Sequence, residues 1–312
     1  MEEISCVLCG LMSHDVAIAD NGYTGMRCPE CGLIYISPRP QLSEIINLYC
    51  HDHAHISAEN HISGSFTKRL YAKHNLHLIR KYIDKGSMLE IGAGAGYFID
   101  EARKIGFEPY SIEFNRIQAA FIRDKLGIPC EEIPLDPYLF DEREFDIICH
   151  FDVLSHFFEP IDEFRKMNSR LRDKGYFMFE TGNTADIDEK YLKYIPDFQY
   201  PDHLFFFGEN NIRDLLDRTG FELVEIHRYS IMPQLMMIKV LFGMMGDSCR
   251  KISGLNGSSG YGNSCITNNR SSFKRQMLNL YGLICYLFRY VLGFLVPKRG
   301  RPQTILVIAR KK

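Results

Sequence analysis

From residue 67 onward the chain alternates stretches of helical periodicity with short apolar runs. Leu70, Tyr71, His74, Leu78, Ile79 and Tyr82 recur at helical spacing, which predicts a helix over 67–84 leading into a buried strand over 88–91. Gly92, Gly94 and Gly96 then interrupt the apolar pattern, and Phe98, Ile99, Ala102 and Ile105 restart it with helical spacing. A second strand is expected over 109–113, then a helix capped by Asn115, running through Leu126 and closed by Gly127. The same alternation predicts strands over 128–132 and 176–180, a strand with its exit loop over 145–156, helices over 160–171 and 210–219, and last strands over 221–226 and 304–309. Repeated β-α units imply a parallel sheet with helices on both faces.

The stretch Glu90-Ile-Gly-Ala-Gly-Ala-Gly96 carries the first chemistry. Three glycines without Cβ atoms let a ligand lie against bare backbone. A dinucleotide fingerprint needs its third glycine at position 97, which is Tyr97, and no Lys-Ser/Thr follows to make a phosphate-cradling loop. Glu90, at the strand end, suits a ligand with positive charge rather than a pyrophosphate. This motif resembles the first motif of class I S-adenosylmethionine-dependent methyltransferases, and Pro109-Tyr-Ser-Ile-Glu113 resembles the second. The resemblance implies a Rossmann-like seven-stranded α/β sheet. It also implies that Glu90, Gly92, Gly94 and Gly96 hold the methionine end of S-adenosylmethionine, and Glu113 its ribose.

Two loops extend the resemblance. The stretch 145–156 resembles the family's F-D-x-x-x-x-x-x-V-L-x-H segment, which places Phe151 and Asp152 near the adenine and His156 beside the acceptor. It lacks the N/D-P-P-Y of base-modifying amino-methyltransferases, and Asp136-Pro-Tyr-Leu falls after the wrong strand to supply it. Tyr200-Pro-Asp-His203 resembles the Y-x-E-H segment of sugar carbon-methyltransferases, whose histidine is the proposed base, although the long extra C-terminal domain of those enzymes is not expected here. His203 is therefore the candidate base and His156 its rival, for a hydroxyl or an acidic carbon. A histidine packed beside three phenylalanines is the plainer alternative.

Ahead of this core, Cys6, Cys9, Cys28 and Cys31 follow C-x2-C-x18-C-x2-C, each pair trailed by a glycine, Gly10 and Gly32. Four thiolates at that spacing fit a closed, structural zinc ribbon. The acidic Met1-Glu-Glu start, with no apolar run after it, leads to the expectation of a cytoplasmic protein with reduced cysteines. The leader 27–40 also resembles that of a bacterial methyltransferase group active in surface-polysaccharide and natural-product pathways, so the implied acceptor is a small molecule or glycan. Cys50, His51, His53, His55 and His61 could form a second metal site, but alternate histidines in a loop read better as a polar connector.

Charge changes the picture at the C-terminus. Residues 239–312 hold thirteen Lys or Arg and a single acid, Asp247, so balances of −14 and +12 lie behind a net charge of −2. An anionic partner surface is expected. Residues 231–245 are methionine-rich (Met232, Met236, Met237, Met244, Met245), 252–273 form a Gly/Ser/Asn loop, and 277–296 are nearly all apolar. On a helix, Asn279, Gly282, Tyr286, Arg289, Tyr290 and Gly293 share one narrow face. This insertion before the last strand reads as a lid or homodimer surface, as a helix on an anionic membrane flanked by Lys274, Arg275, Lys298, Arg299 and Arg301, or as a transmembrane span burdened by Arg289. The expected organisation is a zinc ribbon over 1–50, a connector and leading helix over 51–85, a methyltransferase core over 86–230, the insertion over 231–301 and the last strand over 302–312. An RNA-binding or RNA-modifying protein is the alternative of another class; the ribbon's shortage of basic residues argues against nucleic acid.

Overall fold

The structure, a computed structural model, describes residues 1–50, 57–136, 138–195, 198–233, 235, 279–293 and 300–312. His51, His53 and His55, most of the methionine-rich segment, the 252–273 loop and Lys274, Arg275, Phe294, Lys298 and Arg299 lie outside the described residues.

The N-terminal strands β1 (Val16–Asp20), β2 (Tyr23–Arg27) and β3 (Ile34–Ile36) form an antiparallel sheet behind the two cysteine pairs. Helices α1 (Leu42–Cys50), α2 (Ala58–Ser63) and α3 (Ser65–Ile79) lead into β4 (Gly86–Ile91). Then come α4 (Tyr97–Lys104), β5 (Phe107–Ile112), α5 (Arg116–Phe121), which continues as a π-helical turn over Ile122–Leu126, and β6 (Cys130–Glu131). The rest of the core is β7 (Phe145–Phe151), α6 (Pro160–Arg170), β8 (Leu171–Gly182), α7 (Glu189–Leu192), β9 (Phe205–Phe206), α8 (Glu209–Arg218), β10 (Phe221–Ser230) and β11 (Gln303–Lys311). The large sheet has order β10-β11-β8-β7-β4-β5-β6, with β10, β11 and β8 antiparallel and the remaining neighbours parallel. This is the expected seven-stranded Rossmann-like sheet.

Local chemistry explains the element boundaries. Asn115 Oδ1 accepts from the backbone N–H groups of Ile117 and Gln118, and Gly127 closes the helix at φ 64°. The helix expected over 67–84 is shorter, because the chain loosens into turns after Ile79. β8 is longer than 176–180 because Leu171 already pairs with Phe145, residues 172–175 being taken up by an irregularity before Ile147 meets Tyr176. One face of the sheet packs Phe145, Phe164, Phe177, Phe179 and Phe221; the other packs Met88, Ile99, Ile122 and Ile147.

The ribbon is stitched into this core. β9 supplies its fourth strand, Ile34 pairing with Phe206 and Tyr35 with Phe205. Asn211 Nδ2 donates to Cys31 O at 2.8 Å, and buried Arg39 donates to Phe158 O at 2.6 Å and pairs with Glu159 at 2.7 Å. The loop carrying His203 is thereby fixed between ribbon and sheet.

At the C-terminus, residues 279–286 are helical and Leu287–Leu292 continue as π-helical turns. Among the described residues no helix is long and apolar enough to cross a membrane.

Candidate active site

The strand ends of β4, β5, β7 and β8 open into one cavity of about 1040 Å³. That is at the upper end of the roughly 300–1,000 Å³ of small-molecule sites, room for two ligands at once. Ligands of open α/β sheets sit at this edge, outside the carboxyl ends of the strands.

The glycine turn forms one wall. Gly92, Gly94 and Gly96 have φ of 67°, 56° and 70°, a region that disfavours any Cβ. At Gly94 a Cβ would sit 3.2 Å from His61 Nδ1 and 3.3 Å from Gln118 Oε1. Glu113 locks the turn, accepting from Gly94 N at 2.6 Å and from Asn115 N at 2.8 Å. Glu90 accepts from Ile99 N at 3.1 Å. Burial holds the Glu90 carboxyl well above its usual range, and burial pushes Glu113 up to about 7. Phe151 packs against Phe98, the rings tilted by 52° with centroids 4.4 Å apart. Asp152 sits at φ 56°, its N–H donating to Glu180 O at 2.9 Å, so its side chain is presented to the cavity by a backbone geometry uncommon outside glycine.

Helices α2 and α3 close this end with His61 and with Lys68, which the sequence did not flag. His61 is no connector loop residue; it stands on α2 against Gly94 and accepts from Lys68 Nζ at 2.6 Å. Lys68 faces Glu90, Asp152 and Glu113, and burial lowers its ammonium to about 8. Gly64, Lys68, Ala72 and Asn75 line the cavity at helical spacing, a small-and-polar row that is the only sequence signal for this face. Gln118 Oε1 and Asn75 Oδ1 are buried without hydrogen-bond partners among the described residues. Acceptors left open beside a turn that only glycine can make are what a polar ligand fills.

The opposite end gathers the two predicted histidines. His156 and His203 have ring centroids 4.4 Å apart. Tyr49, on α1, donates its hydroxyl proton to Asp202 Oδ1, and its oxygen lies 2.8 Å from His156 Nδ1, which is also 2.7 Å from Asp202 O. His156 therefore carries its proton on Nδ1 and its lone pair on Nε2. His203 Nε2 lies 3.0 Å from Gln199 Oε1 and its ring stacks on Phe206, so Nε2 is the donor and Nδ1 the basic nitrogen. The third wall is the C-terminal helix. Arg289 pairs with Glu180 at 3.0 Å, and Tyr290 donates to the other Glu180 oxygen at 3.1 Å.

Away from the cavity, the Sγ atoms of Cys6, Cys9, Cys28 and Cys31 all lie within 4.8 Å of one another. Each pair sits on a tight knuckle, Gly10 N donating to Cys6 O and Gly32 N to Cys28 O, with both glycines at positive φ. Four converging thiols in this geometry fit a tetrahedral cation.

Residues 64–226, just over half of the chain, match the family described as methyltransferase domain. Among curated proteins none is similar enough to match. Solved structures of similar fold include coclaurine N-methyltransferase bound to N-methylheliamine and S-adenosylhomocysteine, at 12% identity over 78% of this chain and 70% of that one, TM-score 0.47. Mycolic acid cyclopropane synthase with S-adenosylhomocysteine and CTAB shares 15% identity over 77% and 84%, TM-score 0.47. Phosphoethanolamine N-methyltransferase 2 of Haemonchus contortus, with phosphomonomethylethanolamine and S-adenosylhomocysteine, shares 14% over 77% and 52%, TM-score 0.45.

Proposed function

We propose, from the premise that the chain belongs to the methyltransferase-domain family, that it moves a methyl group from S-adenosylmethionine to a hydroxyl of a sugar, glycan or natural product. The observation that carries this reading is the polarity of the cavity: a glycine turn ringed by Glu90, Glu113 and Lys68 at one end, two oriented histidines at the other.

When bound, the cofactor supplies an electrophilic methyl on a sulfonium. The residues do the rest. Glu113, as carboxylate, accepts from the ribose hydroxyls with the lone pairs its two backbone donors leave open. Glu90 and the glycine turn face the methionine end, and the Lys68 ammonium meets its carboxylate. Phe151 and Asp152 lie at the adenine. His203, with His156 beside it, takes the proton from the acceptor hydroxyl, and the same placement serves an acidic carbon. Tyr49 and Asp202 hold the His156 tautomer. The main catalytic work is positioning donor and acceptor and excluding water, which the aromatic walls provide. Cys6, Cys9, Cys28 and Cys31 hold a structural zinc that anchors the ribbon against the His203 loop.

Calorimetry with S-adenosylhomocysteine, followed by labelled-methyl transfer to nucleotide sugars and hydroxylated natural products, tests the reading. Transfer to a hydroxyl supports it; cofactor binding with transfer to RNA alone overturns the acceptor class. For the metal, protein purified without chelator should hold about one zinc per chain, and Cys28→Ser should lower that content and loosen the ribbon while S-adenosylhomocysteine still binds. Metal-free protein would refute the zinc site.

A further inference from the structure

The helix over 279–292 is turned inside out relative to an ordinary surface helix, which buries its apolar stripe and wets its polar one. Its narrow polar face points inward. Gly282 lets it approach α3 so closely that a Cβ there would fall 1.8 Å from Thr67 Oγ1. Arg289 pairs with buried Glu180, Tyr286 and Tyr290 pack on Tyr71 and His74, and Gly293 O accepts from Ser230 N at 3.1 Å. The outer face is a row of apolar side chains at helical spacing: Leu280, Leu283, Leu287 and Val291 are 51%, 38%, 43% and 48% exposed. Tyr281 and Leu292 widen it. Single exposed leucines need no explanation, but a contiguous row does.

Charge chooses the occupant. In the sequence Lys274 and Arg275 shortly precede this helix, Lys298, Arg299 and Arg301 shortly follow it, and Asp247 is the sole acid of 239–312. A second copy would bring the same positive surround and repel; an anionic surface complements it. An apolar face with basic flanks is the pattern of a helix lying in a lipid headgroup layer.

We infer that the outer face of the 279–292 helix docks this protein on an anionic membrane surface, with Leu280, Leu283, Leu287 and Val291 entering the acyl boundary. The inference goes beyond the methyl-transfer reading and stands or falls independently of it. Docking also places the cavity beside the bilayer, because Arg289 and Tyr290 of the same helix line it.

The test is flotation of the full-length protein with vesicles of phosphatidylethanolamine and phosphatidylglycerol, beside vesicles of phosphatidylcholine. The wild type should float with the anionic vesicles at low salt, several-fold more than with neutral ones. Raising salt should reduce the floating fraction without abolishing it. Leu287→Asp with Val291→Asp should leave the protein at the bottom of the gradient while S-adenosylhomocysteine affinity, which reports an intact core, is unchanged. Should that pair fail to fold, Leu283→Ser with Leu287→Ser should lower the floating fraction more gently. Wild-type protein that never floats overturns the inference. So does a double variant that folds and floats like the wild type, and so does a wild-type dimer in size-exclusion chromatography with light scattering that the double substitution converts to monomer.

Discussion

The two ends of the cavity are built by opposite strategies. The glycine-turn end, proposed to take the cofactor, is made of contiguous chain: Glu90 through Gly96 lie on one strand–turn–helix, and Glu113 follows the next strand and locks the turn from Gly94 N. The histidine end, proposed to take the acceptor, is assembled from distant segments: Tyr49 from α1, His156 from the loop after β7, and Asp202 and His203 from the loop before β9. A contiguous site is fixed by backbone geometry and reads as a motif. An assembled site depends on packing among elements far apart in sequence, and its residues can vary without disturbing the fold.

The sharpest way to break the comparison is at the acceptor end. His203→Ala should keep S-adenosylhomocysteine affinity and lose turnover by about 10²–10⁴-fold, the usual worth of a general base. If His203→Ala turns over normally while His156→Ala is inactive, the base belongs to the Tyr49–Asp202 constellation. At the cofactor end, Glu113→Ala should weaken S-adenosylhomocysteine about a hundredfold, as hydrogen bonds to a charged acceptor are worth ~1.5 kcal/mol or more each and two ribose hydroxyls lose theirs. Unchanged calorimetric affinity would remove Glu113 from the cofactor site.

The same division explains what was legible in the sequence. The succession of strands and helices, the glycine turn, Glu113 and the four cysteines are local patterns whose spacing implies their geometry. Lys68 and His61 are not: a lysine in a helix is normally solvated, and only the packing of α2 and α3 onto the glycine turn brings His61 against Gly94 and Lys68 against His61. Tyr49 was invisible because its partners lie more than a hundred residues away. The polar stripe of 279–293 was readable as a stripe, but its inward orientation depends on Glu180, a residue of a distant strand. The fourth ribbon strand, Phe205–Phe206, was hidden because two residues carry no periodicity.

The smallest expected effect isolates one charge within the cofactor end. Lys68→Met should weaken S-adenosylhomocysteine about tenfold, one charge-assisted hydrogen bond's worth. Methylthioadenosine, which lacks the amino-acid part, should bind the variant and the wild type alike. Equal loss for both ligands would mean that Lys68 only supports the packing of α3. The pH dependence supplies a second, independent readout. Glu113 must be ionised to accept from the ribose, and its carboxyl is raised to about 7, so affinity should fall as pH drops through that value. Lys68 must be protonated to meet a carboxylate, and its ammonium is lowered to about 8, so affinity should fall again as pH rises through 8. The wild type should therefore bind S-adenosylhomocysteine best between about 7 and 8. Lys68→Met should lose the alkaline limb and keep the acid one, and methylthioadenosine should show the acid limb alone even with the wild type. An alkaline limb that persists in the variant would assign it to another group and leave the methionine carboxylate without Lys68 as its partner.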